Sequence, residues 1–233
     1  MSIASNLARL QNEIADACAH AHRNPNTVAL MAVSKMNPAE ALHEAYEAGQ
    51  RLFGENRVQE FASKLPALPN PYSLIPNPCF HLIGPLQNNK TSKAAEIFDA
   101  IDTLDSLKTA ERLNAAAQSL GKILPVLIEV KLSPEETKHG LAPEDLSNLF
   151  RALQPLSSLE PRGLMTVPPL DENPEAARPY FQQLRRLRDE HLVLSPTLTE
   201  LSMGMSNDFA VAIEEGSTTV RIGTAIFGKR TYA

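Results

Sequence analysis

Lys35 directly follows the most apolar short run of the chain, in Ala32-Val33-Ser34-Lys35. A lysine at a strand end, beside low-dielectric surroundings, loses its proton more readily, and the free amine attacks aldehydes. Lysine is rarely buried, so taken singly a surface lysine is the plainer reading. Asn56, in Gly54-Glu55-Asn56, offers both a donor and an acceptor and suits a phenolic oxygen or an amide. Alone it reads more simply as an Asx turn. His81, in His81-Leu82-Ile83-Gly84-Pro85, either hydrogen-bonds a ligand or is a satisfied core histidine. Two late segments add Leu201-Ser202-Met203-Gly204-Met205-Ser206 and Arg221-Ile222-Gly223-Thr224-Ala225-Ile226-Phe227-Gly228. There, backbone N–H groups at Gly223 and Thr224, with the Thr224 hydroxyl, suit a phosphate, and Arg221 shares their strand.

The elements that must position these residues alternate. Short apolar or β-rich runs are read at 28–33, 51–53, 80–83, 100–104, 125–130, 163–167, 200–202 and 218–222. Helical spacing is read at 38–48, 58–65, 88–96, 107–120, 143–153, 174–191 and 208–215, and the stripe Ile3, Leu7, Leu10, Ile14 and Ala21 supplies an opening helix. Asn37, Pro38 and Glu40 read as the start of the 38–48 helix and Gly49 as its end. Ser106 and Gly121 bracket 107–120 in the same way, Pro179 falls in a first turn or a bend, and Asn207 or Asp208 caps the segment closed by Gly216. Strict β/α alternation with right-handed crossovers predicts an α/β fold, a single-domain (β/α)8 TIM barrel over residues 1–233. A doubly wound open sheet is the alternative from pattern alone. Pro66–Pro78, with five prolines, reads as a stiff surface loop.

Composition narrows the partners. Lys plus Arg number 22 against 27 Asp plus Glu, a net charge of −5, and no basic cluster marks a duplex nucleic-acid binder. The longest wholly apolar run, Val28–Val33, is too short to cross a membrane. Arg9, Glu13 and Asp16 interrupt the opening segment, which suits an amphipathic helix rather than an export signal, so the expected address is cytoplasmic. Cys18 and Cys79 stand far apart, so neither a disulfide framework nor a metal site is signalled. A small-molecule ligand is expected.

In a closed barrel the first and last strands are neighbours, and phosphate often binds in the loops after strands seven and eight. Lys35 and the Gly223–Thr224 segment would then bridge an aldehyde-bearing phosphate, which is the chemistry of pyridoxal 5′-phosphate. The chain also resembles a known family. Val33-Ser34-Lys35, Gly54-Glu55-Asn56, His81–Lys90, Gly163-Leu164-Met165, Leu201–Ser206 and Arg221–Gly228 are similar in order and spacing to the motifs of the pyridoxal phosphate homeostasis protein family. The resemblance implies a single-domain barrel like the N-terminal domain of alanine racemase (fold type III), with a Schiff base on Lys35. It further implies Arg221 facing the pyridine nitrogen, Ser202, Gly223 and Thr224 holding the phosphate, and Asn56, His81, Met165 and Met203 lining the pocket. Arg57, Phe80 and Leu132 depart from the family pattern, where an aromatic, Trp and Asn are usual.

Arg221 bears on the choice between binding and catalysis without excluding catalysis by itself, since alanine racemase tolerates the same arrangement. A pyridoxal enzyme that stabilises a carbanion gains by protonating the pyridine nitrogen, and a guanidinium cannot accept a proton to pass on. Racemisation further needs an acid/base on the opposite cofactor face, usually a tyrosine from a second domain. Tyr46, Tyr72, Tyr180 and Tyr232 all fall on helices, in the proline loop or in the tail. The expected function is therefore a monomeric carrier or buffer in vitamin B6 homeostasis, serving apo-enzymes that use the cofactor, with no catalytic or metal-ligating residue of its own. A weak racemase-like enzyme is the alternative, and a lysine-dependent aldolase on phosphosugars a more distant one.

Overall fold

The computed structural model describes residues 2–68, 77–135 and 139–228. Eight parallel strands close on themselves in sequence order: β1 Ala29–Val33, β2 Leu52–Glu55, β3 Cys79–Leu82, β4 Ala100–Leu104, β5 Leu124–Glu129, β6 Leu159–Met165, β7 Glu200–Ser202 and β8 Thr219–Ile222. Closure runs through β1 and β8, with Met31 opposite Arg221 and Ala32 opposite Ile222. The closed order excludes the open-sheet alternative.

Helices α1 Ile3–His20, α2 Ala39–Glu47, α3 Val58–Lys64, α4 Thr91–Ile97, α5 Leu107–Ser119, α6 Leu146–Leu153, α7 Arg178–His191 and α8 Phe209–Glu214 ring the barrel. A ninth, α9 Thr224–Phe227, is a single turn after β8 that periodicity could not announce. On α1, Leu7, Leu10 and Ile14 are buried as their spacing predicts, while Ile3 and Ala21 pack partly buried against the same core. Full burial of such side chains contributes roughly 1.5–3 kcal/mol each. The helix seats against α2, α8 and α9, and Asn6 Nδ2 donates to the Ile226 carbonyl at 2.8 Å. Phe61 of α3 lies 4.6 Å from Phe80 and 4.9 Å from Phe98, centroid to centroid, which fixes α3 on the sheet. Phe80, one of the departures from the family pattern, thus belongs to an aromatic cluster away from the barrel mouth. Arg57 is exposed, and Leu132 is partly buried against the core.

Some boundaries differ from expectation. β6 begins at Leu159, four residues early. Pro161 argues against a strand there because it lacks an N–H, but the register with β5 shifts between Val126 and Leu127, leaving room for a bulge. Asn37 is not the cap of α2. Pro38 holds that position without a side-chain bond, and Asn37 Nδ2 donates to the Lys35 carbonyl at 3.1 Å. Asp208 occupies the α8 N-cap position, but its carboxylate accepts from the Met205 N–H at 2.6 Å. Ser106 caps α5 as expected, and Pro179 lies in the first turn of α7. Within the proline-rich segment, residues 69–76, including Tyr72, lie outside the described residues, as does Tyr232.

Candidate functional site

Parallel strands all point their C-terminal ends to one rim, so residues just beyond them converge there. A cavity of about 340 Å³ opens at that rim. Lys35 reaches it from the end of β1, Asn56 from β2, and Arg221, Gly223 and Thr224 from β8 and the turn after it. Because β1 and β8 are hydrogen-bonded neighbours, the amine and the Gly223–Thr224 segment share one side of the mouth. The first N–H groups of a helix have no acceptor within it, and Thr224 opens α9.

Arg221 is buried. It donates from Nη1 to Ser202 Oγ and from Nη2 to the Thr166 carbonyl, both at 2.8 Å. Burial pulls its pKa down, opposed by the charges of Asp102, Glu129 and Asp208. The guanidinium has five N–H donors, so two such bonds leave it able to donate into the cavity it lines.

Four of the expected site residues do not reach this cavity. Ser202 is buried and accepts from Arg221, so it orients the guanidinium; the serine that lines the mouth is Ser206. Met203 packs in the hydrophobic core, and Met165 is buried on β6. His81 lies toward the opposite end of the barrel, on the wall of a cavity of about 80 Å³ with Cys79, Ala100 and Glu200, the first residues of their strands. Its Nδ1 is 2.9 Å from Asp102 Oδ1. Burial pulls the imidazole pKa down, but the Asp102 charge and hydrogen bond outweigh it and hold the group well above 6.5. His81 is therefore a satisfied interior histidine, the second of its two sequence readings.

Several mouth residues escaped the sequence reading. Glu129 is the last residue of β5 and Ser206 ends a quoted motif beyond β7, so position at or beyond a strand end could have found both; His139, on an exposed loop, had no such signal. Gly84 is required by packing, because a Cβ there would overlap the Asn56 carbonyl. Beside Lys35 in sequence, Ser34 forms a buried polar cluster with Glu55 and Lys64; the first two stand in quoted motifs, but nothing in the sequence joined them to Lys64.

A small aldehyde-bearing phosphate fits this donor set: an amine after β1, and a buried guanidinium on β8 followed by glycine backbone and a hydroxyl, all lining one cavity. The volume falls in the range of small-ligand pockets. Among the described residues no group of three or more His, Cys, Asp or Glu is placed to hold a metal ion, and no helix is long and apolar enough to cross a membrane.

The family model for the alanine racemase N-terminal domain matches residues 5–231. The pyridoxal phosphate homeostasis protein of Aquifex aeolicus is 44% identical over 233 residues, covering 100% of both chains. That of Escherichia coli K12 is 40% identical over 237 residues, covering 99% of this chain and 98% of its own. Among solved structures, PipY of Synechococcus elongatus with pyridoxal phosphate bound aligns with a TM-score of 0.85 at 41% identity, over 97% of this chain and 100% of PipY. Alanine racemase of Clostridium difficile shares the fold alone, with a TM-score of 0.71 at 14% identity over 99% of this chain and 57% of the enzyme.

Proposed function

The chain belongs to the pyridoxal phosphate homeostasis protein family, and on that premise we propose that it binds pyridoxal 5′-phosphate and serves its homeostasis as a carrier or buffer. One observation carries the site assignment. Lys35, Arg221, Gly223 and Thr224, from two paired strands, line a single cavity.

When bound, pyridoxal 5′-phosphate supplies a reactive aldehyde. Lys35 is the residue that would hold the group covalently: its amine would condense with the aldehyde, with loss of one water and no change of oxidation state, and hydrolysis would return both, which suits capture and release. Gly223, Thr224 and Ser206 would hold the phosphate. Arg221, held in place by Ser202 and the Thr166 carbonyl, would donate to the ring nitrogen without protonating it, so carbanion chemistry would gain little.

The reading is of one barrel domain, residues 1–233, acting as a cytoplasmic monomer that delivers cofactor to apo-enzymes. Tyr46 and Tyr180 both lie on helices, α2 and α7, and neither lines the mouth cavity. The likeness to alanine racemase favours one second reading, a weak racemase. Substrate-dependent exchange of amino-acid Cα–H with solvent deuterium at enzymic rates would favour it, or a transaminase, over a carrier.

The test is the absorption spectrum of the purified protein before and after borohydride, followed by peptide mapping. A yellow band abolished by borohydride, with the reduced adduct on Lys35, is the expected result. A colourless protein that takes up no added pyridoxal 5′-phosphate overturns the reading.

A further inference from the structure

Lys64 is the last residue of α3, yet its ammonium does not reach solvent. The side chain is 9% exposed, and Nζ donates to Glu55 Oε1 at 2.8 Å, Glu60 Oε1 at 2.8 Å and the Ser34 carbonyl at 3.1 Å. Those three bonds use every donor the group has. Glu55 is fully buried, accepts from the Ser34 hydroxyl at 2.8 Å, and leaves Oε2 with no partner among the described residues. A helix-surface Glu–Lys pair needs no such burial, and desolvating three charges is costly.

The bonds converge on one stretch of backbone. Lys64 holds the carbonyl of Ser34, immediately before Lys35, and Glu60 accepts from the N–H of Met36, immediately after it. Asn37 holds the carbonyl of Lys35 itself. Met36 has φ +60°, a left-handed conformation uncommon outside glycine, and its side chain is exposed, so packing of that side chain does not explain the geometry. Met36 is the third residue of a turn closed by the Asn37 N–H on the Ser34 carbonyl at 3.1 Å, and the Glu60 carboxylate holds that turn from α3 through the Met36 N–H.

We propose that Lys64, bridging Glu55 and Glu60, positions Lys35 for covalent capture by clamping the backbone on both sides of it. The proposal rests on the reading of Lys35 given above. Lys64 is a positioning residue, and it acts on the covalent step without contributing to the phosphate site.

Two probes separate those contributions: pyridoxal 5′-phosphate, and pyridoxine 5′-phosphate, which carries an alcohol in place of the aldehyde. Each is titrated into wild type, Lys64→Met, Glu60→Ala and Glu60→Gln, with melting temperatures of the ligand-free proteins and borohydride mapping alongside. The expected result for Lys64→Met and Glu60→Ala is affinity for the aldehyde about tenfold or more weaker, with pyridoxine 5′-phosphate binding as in wild type. Glu60→Gln keeps an acceptor for the Met36 N–H and should recover most of the loss. Equal loss for both probes, or loss for neither, overturns the proposal. If Lys64→Met does not fold, the Glu60 pair decides alone, since Glu60 stands nearer the surface. A wild type whose reduced adduct lies elsewhere than Lys35 removes the function reading and this proposal together. A wild-type adduct on Lys35 with unaffected variants removes only the clamp.

Discussion

Arg221 uses two N–H donors on Ser202 and the Thr166 carbonyl and feels the charge of Asp102 deeper in the barrel. Arg221→Met would leave buried Ser202, Thr166 and Asp102 without it. The expected cost is about 1–3 kcal/mol for unsatisfied buried groups, read as a lowered urea midpoint. Arg221→Lys should recover little of the binding, because an ammonium cannot reproduce the planar fork. Lys35→Ala tests the other partner. It should abolish the borohydride-stable adduct and leave residual binding through Gly223 and Thr224, weaker by about tenfold or more in a ligand titration. An unchanged adduct in that variant would move the attachment point, with Lys90 and Lys131 the first to map.

Strand ends and the turns after them build the mouth. The β2 and β3 ends meet where Gly84 approaches the Asn56 carbonyl, so Gly84→Ala must push one strand end away from the other. A shift there displaces Asn56 and the Ile83–Pro85 wall of the cavity. Gly84→Ala is expected to destabilise by about 1–3 kcal/mol, as overpacking does. A thermal scan should show a midpoint lower by roughly 2–4 °C per kcal/mol in a chain of this size. An unchanged melting temperature with normal ligand affinity would show that the two strand ends yield more easily than the close approach implies. Helix α3 has two attachments, the aromatic cluster around Phe61 and the ionic one around Lys64. The first sets where the helix lies; the second ties its last turn to β1.

The whole barrel has polar groups at both ends, and Asp102 stands between them. At the floor burial raises the Glu200 pKa and the Asp102 charge adds to it, while for His81 burial is outweighed by that charge and the hydrogen bond; toward the mouth the charge supports that of Arg221. His81 binds its proton more tightly in the folded chain than in the unfolded one. Its stabilising contribution is therefore complete below the ordinary imidazole value of about 6.5 and is lost as pH rises through the raised folded value. Unfolding midpoints should fall as pH climbs above neutral, and His81→Gln should flatten that fall. A variant with the wild-type pH profile would assign the dependence to another group.

Local chemistry in the chain marked most of the strands, the ring of helices and the strand-end residues Lys35, Asn56, Arg221, Gly223 and Thr224, while the short strands at 51–53 and 200–202 followed only from the alternation around them. Periodicity of two or 3.6 and placement after a strand are properties of short segments. The shared mouth of Lys35 and Thr224 followed from closure, which depends on β1 finding β8 across nearly the whole sequence. Side-chain direction was not legible. Ser202 and Ser206 lie four residues apart in one motif, but strand pairing turns the first inward to Arg221, while the second lies beyond the strand and reaches the cavity. His81 likewise sits on the expected strand, but its depth along the barrel axis places it on the floor. The Lys64 clamp was least visible of all. Glu60 and Lys64 are an i,i+4 pair on α3, which reads as an ordinary surface pair; their bonds to Glu55 of β2 and to Ser34 and Met36 just after β1 arise only when the helix docks.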